Sequence, residues 1–228
     1  MRQSDDATAG EWTPAAPERV RDSARTRAEI LDVAMSEFAA RGYAGSRVDE
    51  IAALTRTTKR MIYYHFGGKR QLYLAVLERA YAGIRAAERE VNVDNLDPVD
   101  AVRRVAEVTF DHHGAHPEFI RLVSIENIHN AEHVRELSQV SDLGAPVVAL
   151  LEAILRRGRA HGVFRPDVDA IDVHMMISGF CVFRVANRHT FGVIFGRDLV
   201  DPAMHDRYRT MCGDMIVGYL TPGRTTAG

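Results

Sequence analysis

The segment Thr57-Thr58-Lys59-Arg60-Met61-Ile62-Tyr63-Tyr64-His65-Phe66 constrains this chain more than any other stretch. Thr58 is a side-chain type that can satisfy the free N–H groups at a helix start. Lys59 and Arg60 then fall in the first turn, where the positive end of the helix dipole disfavours cations. Two basic residues placed there call for a polyanion opposite them. Ile62 and Phe66 are one helical turn apart and can anchor one face in a core. Thr57, Arg60, Met61 and Tyr64 then point elsewhere, and Tyr63, Tyr64 and His65 add hydrogen-bonding aromatic tips. Such a helix fits the DNA major groove. Taken alone, Lys59-Arg60 reads better as a solvated charged turn; the flanking sequence reverses that reading.

Upstream, residues 23–41 carry Ile30, Leu31, Ala34, Phe38 and Ala39 on a 3.6-residue period, which predicts a helix closed by Gly42. A second helix is expected over 46–54, with Ser46 to Asp49 as a capping pattern and Val48, Ile51 and Ala52 facing inward. Thr55-Arg56-Thr57 is the turn before the basic segment. Helix, short helix, tight turn and helix make a helix-turn-helix supported by a first helix. Gly67-Gly68 breaks the chain, and a long helix follows over 69–91, with Leu72, Val76, Leu77, Ala80 and Ile84 as its inner stripe.

The overall charge of −2 hides an asymmetry. Residues 19–90 hold fourteen Lys/Arg against nine Asp/Glu, whereas residues 91–228 hold fourteen Arg against eighteen acids. A basic module joined to an acidic body suits nucleic-acid binding with a separate second function. Residues 1–20 are acidic and lack the apolar core of a secretory signal, so 1–22 reads as a disordered tail. Cys181 and Cys212 lack metal-site spacing, which predicts a reducing compartment, the cytoplasm. No apolar run is long enough for a membrane span.

Residues 25–80 resemble the DNA-binding domain of TetR-family regulators. Ile51-Ala52, Thr58-Lys59, Ile62-Tyr63-Tyr64-His65-Phe66, Lys69 and Leu72 carry the resemblance. Two positions depart from the family pattern: Arg56 stands where the family usually has glycine in the turn, and Arg60 where it often has a small residue. Arg56 therefore predicts a strained or differently shaped turn, and Arg60 could read guanine in a bidentate contact. The resemblance implies that Thr57, Thr58, Arg60, Met61 and Tyr63 enter the major groove. It also implies that Lys59, Tyr64, His65, Lys69, Arg25, Ser46 and Arg47 hold phosphates, which position without specifying.

The composition turns polar over 92–98, marking a domain boundary. Beyond it, helices are expected at 98–113, 117–130, 133–140, 144–161, 169–189 and 202–220, with no competing strand pattern. The fold class is therefore all-α. It comprises a helix-turn-helix domain (23–68), a connecting helix (69–91), a helical ligand-binding and dimerisation domain (92–220) and a flexible tail (221–228). Met175, Gly179, Val182 and Ala186 form one stripe in the last two helices, and Met204, Tyr208, Met211, Met215 and Tyr219 another. Either could be core; the resemblance implies that this pair of helices builds a four-helix homodimer interface matched to a palindromic operator.

Candidate sites in the body divide into weak and stronger ones. His112, His113 and His116 are metal-ligand types, but Gly114 and Pro117 interrupt them, and His129 and His133 with Glu126 lack a second cluster. No metal, cofactor or catalytic residue is expected, and no nucleophile elbow or phosphate loop is present. An effector pocket is better supported, mainly by analogy with the family. His174, Phe180, Arg184 and Asn187 lie on two adjoining stripes of an apolar helix, and Asn127 and Asn130 are further polar candidates. Arg184, set among Phe and Val, either pairs with an acid such as Glu126 or Asp172 or faces a cavity. In the second case it points to an anionic or carbonyl-bearing effector.

The sequence thus predicts a ligand-responsive DNA-binding regulator, more often a repressor than an activator, partnered by double-stranded operator DNA, a small-molecule effector and a second copy. The alternatives are a regulator with no small ligand, an adaptor using its helix-turn-helix for protein contacts, and a helical metalloenzyme.

Overall fold

A computed structural model describes residues 16–138 and 144–222. Ten α-helices and no strand occur among the described residues. The first four are α1 (Ala16–Gly45), α2 (Val48–Leu54), α3 (Lys59–Phe66) and α4 (Lys69–Arg89). The body holds α5 (Pro98–Ala115), α6 (Pro117–Ile128), α7 (Ala145–Ala160), α8 (Ala170–Ala186), α9 (Arg188–Phe195) and α10 (His205–Leu220).

Helix α1 begins at Ala16, ahead of the expected residue 23, and the rest of the proposed N-terminal tail lies outside the described residues. Gly42 stops the regular helix as predicted: its φ of 70° is a left-handed conformation that favours glycine, and it kinks the chain. Gly67, at φ 81°, closes α3 the same way. Asp97 caps α5 by accepting from the N–H groups of Val99 and Asp100, with Pro98 in the first helical position. Asp169 caps α8 through the N–H of Ile171.

Two expected helices come out differently. Residues 133–140 form only a 3-10 turn at Val134–Glu136, and positions 139 and 140 lie outside the described residues. The expected helix over 169–189 ends at Ala186, and a separate helix, α9, follows after Asn187. The corner, Asn187-Arg188-His189-Thr190, holds neither glycine nor proline to announce the change of direction. Most of the proposed C-terminal tail, from residue 223 on, lies outside the described residues.

The apolar stripes bury as two clusters. Ile30, Phe38, Ile51, Ile62, Leu72 and Tyr73 join α1–α4, and α6 completes the cluster through Ile120 and Leu122. Val105, Phe110, Leu151, Ile154, Ile177 and Ile216 join α5, α7, α8 and α10. Each fully buried side chain of this size contributes about 1.5–3 kcal/mol. Because α4 and α6 pack against α1, the helix-turn-helix rests directly on the body. No described helix is long and apolar enough to cross a membrane.

Candidate nucleic-acid interface and effector cavity

The basic segment folds as its composition requires. The Thr58 hydroxyl accepts from the Met61 N–H at 3.3 Å, starting α3. Ile62 and Phe66 are buried, so the opposite face projects: Thr58, Lys59, Arg60, Tyr63 and Tyr64 are exposed, with Thr57, Met61 and His65 half-buried. Tyr64 is 75% exposed, although the core has ample aromatic packing elsewhere. Arg56 has φ 53°, the left-handed conformation expected of a turn usually occupied by glycine. Of the two expectations for Arg56, a strained or a differently shaped turn, the backbone shows the strained one.

The residues expected to hold phosphates do not share one environment. Arg25 and Arg47 are exposed. Lys59 reaches back to Asp49 of α2 at 2.9 Å, and this bond raises its pKa. Lys69 lies over the Tyr43 ring, 4.7 Å from its centroid, and burial lowers its pKa. Ser46 is corrected outright. It is 1% exposed, and its hydroxyl donates to the carbonyls of Gly42 at 2.8 Å and Glu37 at 3.2 Å. It is not the α2 cap either: Arg47 occupies that position, without a side-chain hydrogen bond. The Ser-x-x-Asp pattern was genuine in sequence, but the kinked end of α1 offered Ser46 closer acceptors.

Between the helix-turn-helix and the body lies a buried carboxylate. Glu126 accepts from the Tyr73 hydroxyl of α4 at 3.0 Å, from Nδ1 of His133 at 3.1 Å, and from the N–H groups of His133 and Val134 at 3.1 Å. Asn130 and Ala131, both at positive φ, reverse the chain so that these N–H groups return to it. The His133 ring packs 4.4 Å from Tyr43 of α1, and Arg70 of α4 pairs with Glu136. Glu126 is thus structural, and neither a metal ligand nor the partner of Arg184.

The candidate effector residues disperse. Asn127 and Asn130 are exposed, and the Asn127 amide donates to the Val123 carbonyl. Asn187 stands at the start of α9, where its carbonyl accepts from the Phe191 N–H. His174 belongs to a buried polar cluster with Arg85, Glu88, His112 and His113, on the α4 and α5 side of α8. There Arg85 pairs with Glu88 at 2.5 Å. Burial pushes Glu88 up to about 7 and pushes His112 and His113 down to about 4 and about 3. His112 stacks on His116 at 4.1 Å, and no group of three metal-ligand residues converges among the described residues.

Phe180 and Arg184 do come together. They line a groove of about 520 Å³ between α8, α9 and α10, with Phe183, Phe191, Tyr208 and Met211, open to solvent on the side of Phe183 and Met211. Sequence reasoning missed Phe191 because residues 190–201 were placed in no helix, and Tyr208 because its stripe was read as core or interface. A larger groove of about 840 Å³ runs between the end of α1, α6 and the α8–α9 corner. Two of its cations are already paired, Arg41 with Glu37 and Glu50, and Arg188 with Asp198, so it reads as solvated surface.

Comparison with known proteins follows the same division. Residues 30–76 match the family described as bacterial regulatory proteins, tetR family, and residues 98–216 match the tetracyclin repressor-like C-terminal domain. The chain is 34% identical over 199 residues to the HTH-type transcriptional repressor NicS of Pseudomonas putida, spanning 87% of this chain and 94% of that protein. It is 33% identical over 159 residues to the HTH-type transcriptional repressor SCO4008 of Streptomyces coelicolor, spanning 69% of this chain and 77% of the relative. Among solved structures, the transcriptional regulator SCO4942 from Streptomyces coelicolor superposes with a TM-score of 0.67 at 27% identity, covering 86% of this chain and 99% of that one.

Proposed function

The chain belongs to the TetR family and is a DNA-binding transcriptional regulator, and from that premise we propose a homodimeric, ligand-responsive repressor acting on a palindromic operator. The observation that carries this reading is α3: its apolar back is buried while Arg60, Tyr63 and Tyr64 stand free beside the capped N-terminus. Thr57, Thr58, Arg60, Met61 and Tyr63 enter the major groove; Arg25, Arg47, Lys59, Tyr64, His65 and Lys69 lie along phosphates. Relatives named as repressors support the sign of regulation. DNA as a partner puts the site of action in the cytoplasm.

Homodimerisation is supported by apolar side chains of α8 and α10 left in solvent. Met175 and Phe183, and Met211, Met215 and Tyr219, are all among the exposed large hydrophobics. A two-fold dimer through this face sets two α3 helices on half-sites roughly 34–36 Å apart. The effector, anionic or carbonyl-bearing, binds the body. Its signal reaches α4 through the packed joint around Glu126. The coupling is reciprocal: operator weakens effector binding by the factor by which effector weakens operator binding.

The test is fluorescence anisotropy on DNA from the gene's own upstream region, with a salt titration and non-specific competitor, comparing wild type with Arg60→Ala and Tyr63→Ala. Competitor-resistant, salt-sensitive binding lost in both variants is expected. Binding insensitive to salt, or unchanged in both variants, would favour a helix-turn-helix that contacts protein.

A further inference from the structure

The cations of the helix-turn-helix divide into engaged and free. Arg41 pairs with Glu37 and Glu50, Lys59 with Asp49, and Arg70 with Glu136. Arg27 lies 4.9 Å over the Phe66 ring, Lys69 lies over Tyr43, and Arg25 has Asp22 and Glu29 within 3.8 Å. Arg47, Arg56 and Arg60 are exposed and meet no carboxylate or aromatic ring among the described residues. These three share one short stretch. Arg47 holds the cap position of α2, Arg56 stands in the turn, and Arg60 lies in the first turn of α3. The two acids of α2, Asp49 and Glu50, are each engaged by another cation, so neither is left for Arg56.

Arg56 is also the one of the three held in an unfavourable backbone conformation, at φ 53°. The backbone itself closes the turn: the Arg56 N–H donates to the Ala53 carbonyl at 3.3 Å, and the Thr57 N–H to the Ala52 carbonyl at 3.1 Å. Glycine would close it equally well and without strain. Asn130 and Ala131 are the other non-glycine residues at positive φ among those described, and their turn brings the His133 and Val134 N–H groups back to Glu126. Their strain supports a contact inside the protein. The Arg56 side chain makes none, and a strained residue aimed at solvent points to a partner outside the chain.

We propose that Arg56 is a DNA-contact residue, its guanidinium holding a backbone phosphate beside the groove that α3 enters. The proposal rests on the reading of α3 as the recognition helix and adds a contact to it. The acceptor is a phosphate because Arg56 lies ahead of α3, whose own exposed residues face the bases. A guanidinium suits that role, since its planar fork can donate to two phosphate oxygens at once. Arg56 therefore lowers stability while raising affinity, a common arrangement at functional positions.

The experiment is fluorescence anisotropy of the full chain across a salt series, on a duplex from the gene's own upstream region and on a shuffled duplex of the same composition. A phosphate contact acts on any duplex, so the operator need not be known. Arg56→Gln removes the charge and keeps the strained backbone, whereas Arg56→Gly removes both. Arg156→Gln, at an exposed position of α7, removes one charge from the body as a control. Urea unfolding checks that each variant is folded. Both Arg56 variants should weaken the two duplexes by the same factor, about threefold or more at low salt. Their slope of log affinity against log salt should be shallower by about 0.9 for each protomer bound. Arg156→Gln should match wild type. A wild-type slope in both Arg56 variants overturns the proposal, and so does an equal loss in Arg156→Gln, which would reduce the effect to net charge. A loss confined to the upstream duplex would make Arg56 a base reader and overturn the phosphate contact. Salt-sensitive binding by wild type that is indifferent to Arg56 overturns this contact alone. Wild type that binds neither duplex overturns the recognition-helix reading along with it.

Discussion

The Tyr73 hydroxyl of α4 donates a 3.0 Å hydrogen bond to Oε1 of Glu126 on α6, inside the joint between the DNA-binding helices and the body. Burial, and then the Glu126 carboxylate, push the Tyr73 phenol up, so it remains a donor throughout the physiological range. Removing it with Tyr73→Phe leaves Glu126 three other donors, two of them backbone N–H groups. The expected cost is about 1.5–3 kcal/mol, that of one buried hydrogen bond to a charged acceptor. Glu126→Ala strands all the donors at once and should cost clearly more. Urea denaturation of both variants decides it: equal midpoints would show that this carboxylate does not organise the joint.

The sequence revealed elements with strong periodicity and local signals. The back of α3, the Thr58 cap, the Gly42 and Gly67 stops and the inner stripe of α4 follow from residue types a few positions apart. What it hid depends on distant partners. Ser46 looked like a cap until α1 supplied carbonyls for its hydroxyl, and Lys59 looked free until α2 placed Asp49 against it. Phe191 and Tyr208 joined Phe180 and Arg184 only because α8 breaks at Asn187, and the corner, Asn187-Arg188-His189-Thr190, holds no glycine or proline to mark the break. The polar cluster around Arg85 draws on α4, α5 and α8 and has no linear signature.

Arg56 holds φ 53° in the turn between α2 and α3. An L-residue pays roughly 1–2 kcal/mol for that conformation, and glycine loses roughly 0.5–1 kcal/mol of unfolded-state freedom on folding. Arg56→Gly should therefore raise stability by about 0.5–1 kcal/mol. A lowered urea midpoint would mean that the Arg56 side chain contributes more than its backbone costs.

Gly158 of α7 lies against Phe164, where an added Cβ would come within 1.9 Å of the ring. Phe164 is itself buried, 4% exposed, so it has little room to yield. Gly158→Ala should destabilise by about 1–3 kcal/mol through overpacking, despite the better helix propensity of alanine. Thermal unfolding at or above the wild-type midpoint would show that the turn after α7 is free to move.

His113 links stability to pH. Burial, and then His112, lower its pKa to about 3, below the unfolded value of 6.5. The folded protein thus holds the imidazole neutral while the unfolded chain takes up a proton. Stability is full above pH 6.5 and is lost as pH falls towards 3, by at most about 1.4 kcal/mol per pH unit for this group. Glu88 works in the opposite direction, since its pKa is raised to about 7 and its contribution fades as pH rises from 4.5 towards that value. His113→Gln should flatten the acid limb of a plot of urea midpoint against pH. An unchanged slope would assign acid sensitivity to other groups.

Lys59 and Asp49 bear most directly on DNA binding. The ammonium contacts the α2 carboxylate at 2.9 Å, and both groups are about half exposed. An exposed pair of this kind adds little to folding, so losing it should barely move stability. Its effect on binding should be larger. While Asp49 holds Lys59, a phosphate must displace a carboxylate before the lysine neutralises it, and the carboxylate itself repels the backbone. Asp49→Asn removes both obstacles. Operator and non-specific affinity should rise together, by about three- to tenfold at low salt, because a phosphate contact carries no sequence information. The slope of log affinity against log salt should steepen by up to about one unit, since one more phosphate is neutralised. Lys59→Ala in the Asp49→Asn background should cancel the gain. Anisotropy titrations at two or more salt concentrations measure all three quantities, and a gain that survives Lys59→Ala would place the effect on Asp49 alone.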